Sequence, residues 1–96
     1  MVYRLSKAAE NDVINIYVDG AIMFGQEQAE HYHAGLETTL KMLAEYPYSG
    51  KEQLSITPPV RIFTFRSHLI IYSIYRHDIL VLRVLNARQD WIAHLS

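Results

Sequence analysis

Apolar residues in the first half of the chain recur every three to four positions. Ala9, Val13 and Ile16, with Ile14 and Tyr17 beside them, form a stripe behind Ser6, a residue type that caps helix N-termini. This spacing predicts a helix from Lys7 toward Phe24, weakened at Gly20 by about 1 kcal/mol relative to alanine. Phe24-Gly25-Gln26-Glu27 reads as a tight reversal. Ala29, Tyr32, Leu36, Leu40 and Leu43 then form a second stripe that ends at Tyr46-Pro47. Glu27 and Glu30 suit its positive dipole end, and Lys41 lies nearer the other end. Residues 7–45 therefore read as an antiparallel helical hairpin, preceded by a short strand over Val2 to Leu5.

All three prolines fall between Tyr46 and Pro59, a stretch with Ser49-Gly50 and no period, which reads as a long loop. Beyond it the period becomes two, predicting strands at Val60–Phe65, Leu69–Tyr75 and Ile79–Leu85. Connections of Arg66-Ser67-His68 and Arg76-His77-Asp78 are too short for a crossover helix, so these strands form an antiparallel meander. The last two are apolar at nearly every position, and a helical hairpin covers only one face of a sheet. The other face requires the C-terminal segment or a partner. Arg88 to Leu95 has room for a turn or two of helix with Trp91 and Leu95 on one face, a length not stable in isolation. The expected fold is α+β: an N-terminal strand, a helical hairpin on one face of a mainly antiparallel sheet, and a short C-terminal helical segment.

Composition narrows the function. Ninety-six residues, half of them apolar, make one globular domain over residues 1–96. Zero cysteines exclude disulfides, thiolate nucleophiles and Cys-based zinc sites. The N-terminus lacks the apolar core of a signal peptide, and no run is long enough to span a bilayer, so a cytoplasmic location is expected. A net charge of −1 gives no overall field for DNA or anionic lipid, and no direct DNA binding is expected. Charge is nonetheless uneven. Residues 1–53 carry four basic and eight acidic side chains, whereas residues 54–96 carry Arg61, Arg66, Arg76, Arg83 and Arg88 against two aspartates. The sheet half is a cationic surface candidate.

Few motifs carry chemistry. Glu30-x-x-His33 has the spacing of a di-iron ligand pair, but such sites need a second copy, and a solvated polar face is the simpler reading. Ser67-His68 has no nucleophile elbow around it, and the four glycines match no phosphate-binding loop, so no cofactor is indicated. Seven tyrosines interleaved with arginines suit base stacking, but Tyr17 and Tyr32 read more simply as helix-face core and Tyr72 and Tyr75 as strand formers. Arg83 is harder to dismiss. Strand alternation puts it on the face of Ile79, Val81 and Leu85, where a guanidinium must either reach the rim or find an anion.

The element order, together with Arg61-Ile62-Phe63-x-x-x-x-His68-x-Ile70-Ile71-Tyr72 and Ile79-x-Val81-x-Arg83-Val84-Leu85-Asn86-Ala87-Arg88-Gln89-Asp90-Trp91, resembles the RelE/ParE toxin superfamily, specifically its ParE branch. The resemblance implies a toxin of a type II toxin–antitoxin module that poisons DNA gyrase, through its A subunit, without catalysis. It also implies silencing by a ParD-like antitoxin with a ribbon-helix-helix N-terminal region. The alternatives are a RelE-type ribosome-dependent mRNA endoribonuclease, or an inactive relative that only binds. RelE-like members use a sheet arginine and a C-terminal tyrosine. Those positions fall here at Leu69 and near His94, so a ribonuclease would have to rely on Arg83, Arg88 and His94. On this reading Arg83, Arg88, Trp91 and His94 engage the target. Arg61, Arg66, Tyr72, Ile14, Tyr17 and Phe24 receive the antitoxin, with the arginines pairing its carboxylates.

Overall fold

A computed structural model of the chain describes the backbone of residues 2–95 and the side chains of residues 2–93. Strand β1 (Tyr3–Leu5) leads into helix α1 (Lys7–Phe24), which Gly25 alone separates from helix α2 (Gln26–Glu45). A 3-10 turn (Pro47–Ser49) follows, then strands β2 (Lys51–Gln53), β3 (Val60–Phe65), β4 (His68–Tyr75) and β5 (Asp78–Asn86), and helix α3 (Trp91–Leu95). The sheet order is β1-β5-β4-β3-β2, with β1 parallel to β5 and the other pairs antiparallel. The α+β architecture expected from the pattern is therefore present, with the helical hairpin against one face of the sheet.

Ser6 shows why α1 starts where it does. Its hydroxyl accepts a hydrogen bond from Ala9 N at 3.0 Å and donates one to Leu82 O at 2.7 Å, while its own amide donates to Val81 O. One residue thus caps the helix and closes the edge of β5 where β1 runs out. At the other end Gly25 adopts φ +93°, a region closed to residues with a Cβ, and its amide donates to Ala21 O. A one-residue link between the two helices depends on that freedom.

The segment from Tyr46 to Pro59 is not wholly irregular. Lys51–Gln53 pairs with Val60–Ile62 as an edge strand, missed because Lys-Glu-Gln has no apolar residue to show an alternation. Tyr72 organises the approach to it. This side chain is fully buried, and its hydroxyl accepts from Gly50 N at 2.9 Å and donates to Pro47 O at 2.7 Å. A Cβ at position 50 would lie 2.5 Å from that hydroxyl, so glycine is required by close approach. Tyr72 therefore cannot serve as a contact for an antitoxin, and its place in the sequence-derived set is corrected here.

Both hairpin connections are two residues long, one fewer than expected, because His68 and Asp78 pair in register with Phe65 and Tyr75. Each places an arginine in the left-handed region, Arg66 at φ 52° and Arg76 at φ 58°, where glycine is the usual occupant.

The sheet has two unequal faces. Toward the helices, Ile70, Tyr72, Ile79, Val81 and Val84 are buried with Ala9, Leu36, Leu40 and Leu43. On the far side, Val60, Ile71 and Leu85 are buried, flanked by half-buried Ile56, Ile62, Leu69, Leu82 and Trp91. The C-terminal segment supplies Trp91 to this second face, as the apolar strands required. A bulge reconciles the two patterns. Ile71 pairs with Arg83 and Tyr72 with Val81, leaving Leu82 as an extra residue on β5. Val81 and Leu85 consequently lie on opposite faces, which corrects the simple alternation that grouped Arg83 with both.

Candidate functional site

Between the hairpin tip and the strand turns lies an open cleft of about 1190 Å³. Helix α1 forms one wall with Asp12, Ile16 and Asp19, continued at its end by Met23 and Phe24. The β3–β4 turn forms the opposite wall with Arg66 and Ser67, continued by His68 at the start of β4 and joined by Asn86 at the end of β5 and Ala87 to Gln89 beyond it. Tyr32 of α2 contributes between them.

The anion that Arg83 needs is Asp12. Arg83 Nε donates to Asp12 Oδ2 at 2.8 Å and its Nη2 donates to Oδ1 at 2.9 Å, a bidentate pair, and Val84 N donates to the same Oδ2 at 2.9 Å. With the Asp12 side chain only 13% exposed and that of Arg83 22% exposed, the pair is largely shielded from water. Donating to Asp12 raises the Arg83 pKa still further. Arg83 therefore bolts α1 to β5 at the cleft floor and has little charge left for a partner.

Across the cleft the Tyr32 hydroxyl and His68 Nδ1 share a hydrogen bond of 2.6 Å, with Ser67 Oγ 3.4 Å from each. The Tyr32 ring stands edge-on to Phe65 and to His68, centroids 5.1 and 5.6 Å apart. Burial lowers the pKa of His68, favouring the neutral ring.

Hydrogen bonds tie the loop after β5 to its neighbours. Ala87 N donates to Ser67 O at 2.8 Å, Arg88 N donates to Asn86 Oδ1 at 2.9 Å, and Asn86 N donates to Gln89 Oε1 at 3.1 Å. Arg66 and Arg88 are thereby carried on two turns joined by a backbone hydrogen bond. Among the described residues the ion pairs are Lys41–Glu37, Arg61–Glu52 and Arg83–Asp12, so Arg66 and Arg88 have no carboxylate within 4.0 Å. Arg66 leans over the Phe65 ring at 5.6 Å.

The remaining sequence-predicted residues disperse. Trp91, expected to engage the target, is half-buried against the far face of the sheet, while Ile92 beside it is 51% exposed. The His94 side chain lies outside the described residues. Arg61 donates to Gly50 O at 2.7 Å and sits 4.8 Å from the Tyr48 ring centroid. Along β3 it is roughly 16 Å from Arg66, so the two do not form one patch. Ile14 and Phe24 are exposed on α1, whereas Tyr17 spans the hairpin, donating to Glu30 Oε1 at 3.4 Å. Ile14, Val18 and Ile22 make an exposed apolar stripe at four-residue spacing. Among the described residues no group of three metal-ligating side chains occurs, and no helix is long and apolar enough to cross a membrane.

The sequence reading missed Asp12 and the Tyr32–His68 pair. Their partners are 71 and 36 positions away, so no local spacing signals them.

A family model described as the ParE toxin of the type II toxin–antitoxin system, parDE, matches residues 3–91. The chain is 31% identical over 94 residues to Toxin ParE1 of Caulobacter vibrioides, covering 98% of this chain and 97% of that protein. It is 21% identical over 91 residues to Toxin ParE3 of the same organism, covering 95% and 91%. The fold is similar to a solved structure described as a chromosomal ParDE TA system from P. aeruginosa, with a TM-score of 0.76 at 22% identity over 90% of this chain and 95% of that one. The chain belongs to the ParE toxin family of type II toxin–antitoxin systems.

Proposed function

We propose that this chain arrests growth by binding DNA gyrase, through the A subunit and without catalysis, and that a ParD-like antitoxin with a ribbon-helix-helix N-terminal region silences it. The observation that carries this reading is the family match across residues 3–91, to which the solved ParDE relative adds the expectation of an antitoxin. The state of the cationic groups supports the non-catalytic form. Arg83, one of three groups a ribonuclease would need here, is already neutralised by Asp12.

Target contact falls to exposed Arg88 and to the α3 segment with Trp91 and His94, while Arg83 positions β5 beneath them. Antitoxin docking falls to the apolar stripe of α1 with Ile14 and Phe24, flanked by Tyr17. Arg66 and Arg61 lie on separate surfaces, so both are reached only by a segment that wraps around the molecule.

A supercoiling assay with purified gyrase, run beside a ribosome-dependent mRNA cleavage assay, tests the reading. Inhibited supercoiling with intact mRNA is expected. Cleaved mRNA with untouched gyrase overturns it. Arg88→Glu is expected to relieve growth arrest while the folded protein still binds its antitoxin.

A further inference from the structure

The cleft has a property that binding a protein target does not require. On one wall, Arg66 and Arg88 stand on two turns tied together by the Ala87–Ser67 hydrogen bond, and neither has a carboxylate partner among the described residues. Beside them lie three further polar groups, the hydroxyls of Ser67 and Tyr32 and the imidazole of His68. Two guanidinium forks with the Ser67 hydroxyl beside them match the charge and the several oxygens of a phosphate dianion; a single carboxylate would leave one fork unused.

The opposite wall differs in kind. Ile16, Met23 and Phe24 line it, with Met23 70% and Phe24 68% exposed, so a flat ring has apolar and aromatic surface to lie against. Asp19 also lines this wall and has no ion-pair partner among the described residues. It accepts a hydrogen bond from an amino group and repels a second run of phosphates.

We infer that the cleft between α1 and the Arg66–Arg88 turns is a binding site for a nucleoside monophosphate with an amino-bearing base. The phosphate lies between the two arginines and the ring lies against Phe24. Asp19 makes the site selective for a single phosphate over a polyanion. This inference is independent of the gyrase reading, and neither result decides the other.

Amide chemical shifts of the full chain, titrated with adenosine monophosphate, inorganic phosphate, adenosine and a short single-stranded oligonucleotide, test it. Adenosine monophosphate is expected to saturate, moving the amides of Arg66 to His68 and Ala87 to Gln89. Inorganic phosphate and adenosine are expected to bind at least tenfold more weakly, about 1.4 kcal/mol. Arg88→Gln, and Arg66→Gln with Arg88→Gln, should each weaken the mononucleotide at least tenfold. Arg76→Gln, an exposed arginine on the other hairpin turn, should leave it unchanged. Three results overturn the inference: no saturation, equal weakening by Arg76→Gln, or tighter binding of the oligonucleotide than of the mononucleotide. Unchanged unfolding midpoints in the variants separate a lost ligand contact from a lost fold.

Discussion

On the helix side of the sheet, Ile70, Tyr72, Ile79, Val81 and Val84 are sealed by two long helices; on the far side, Val60, Ile71 and Leu85 are shielded by Trp91 and Ile56. The strands supply similar aliphatic side chains to both. What differs is the cover: an 18- and a 20-residue helix against a loop residue and a five-residue helix. Helices of the first kind are long enough to bury a continuous stripe, whereas a five-residue helix holds its shape only while packed. The helix side therefore sets the stability of the fold. The far side is where a change of packing reaches the C-terminal segment proposed above to contact the target.

The sharpest break of this contrast is a pair of truncations. Leu43→Ala on the helix side is expected to cost about 2–5 kcal/mol, while Leu82→Ala on the far side costs about 1 kcal/mol because its site is half open. Urea unfolding midpoints check this, and equal losses would abolish the distinction between the faces. Next in size is Asp12→Ala, which strands the Arg83 guanidinium and the Val84 amide and is expected to cost about 2–3 kcal/mol. Asp12→Asn should cost less, since it keeps an acceptor for Val84. Tyr72→Phe removes the hydroxyl that holds Gly50 and Pro47 and should cost about 1–2 kcal/mol with the rings still packed.

Smaller again is a dependence on pH. Burial lowers the His68 pKa below its ordinary 6.5, so the stabilisation from a neutral ring is complete above that value and declines as pH falls below it. His68→Gln should flatten the slope of stability between about pH 7 and pH 5. A slope unchanged by the substitution would assign it to other groups.

The parts of the molecule that repeat along the chain were legible in the sequence. Stripes at Ala9, Val13 and Ile16 and at Ala29, Leu36, Leu40 and Leu43 mark the two helices, because burial of one helical face imposes a 3.6-residue period. Alternation marked β3, β4 and β5. What escaped depends on pairing across distance. β2 is a polar edge strand held by its neighbour, the bulge at Leu82 is visible only in register, and Arg83 finds Asp12 across 71 positions. The same holds for the candidate site. Its arginines stood out by type, but which of them was already paired was decided by residues far away in sequence: Arg83 is paired with Asp12, while Arg66 and Arg88 have no carboxylate partner among the described residues. Tyr72 was misassigned for a related reason, since a strand tyrosine looks alike from sequence whether its hydroxyl meets water or a buried amide.

The Tyr72 hydroxyl has one more effect. With Pro47 and Gly50 moored to it, and Lys51 to Gln53 stitched to β3, both shores of residues 54–59 are fastened before the chain crosses between them. That stretch is a bridge spanning two fixed banks, so inserting residues there, or nicking it, leaves each bank tethered to the body.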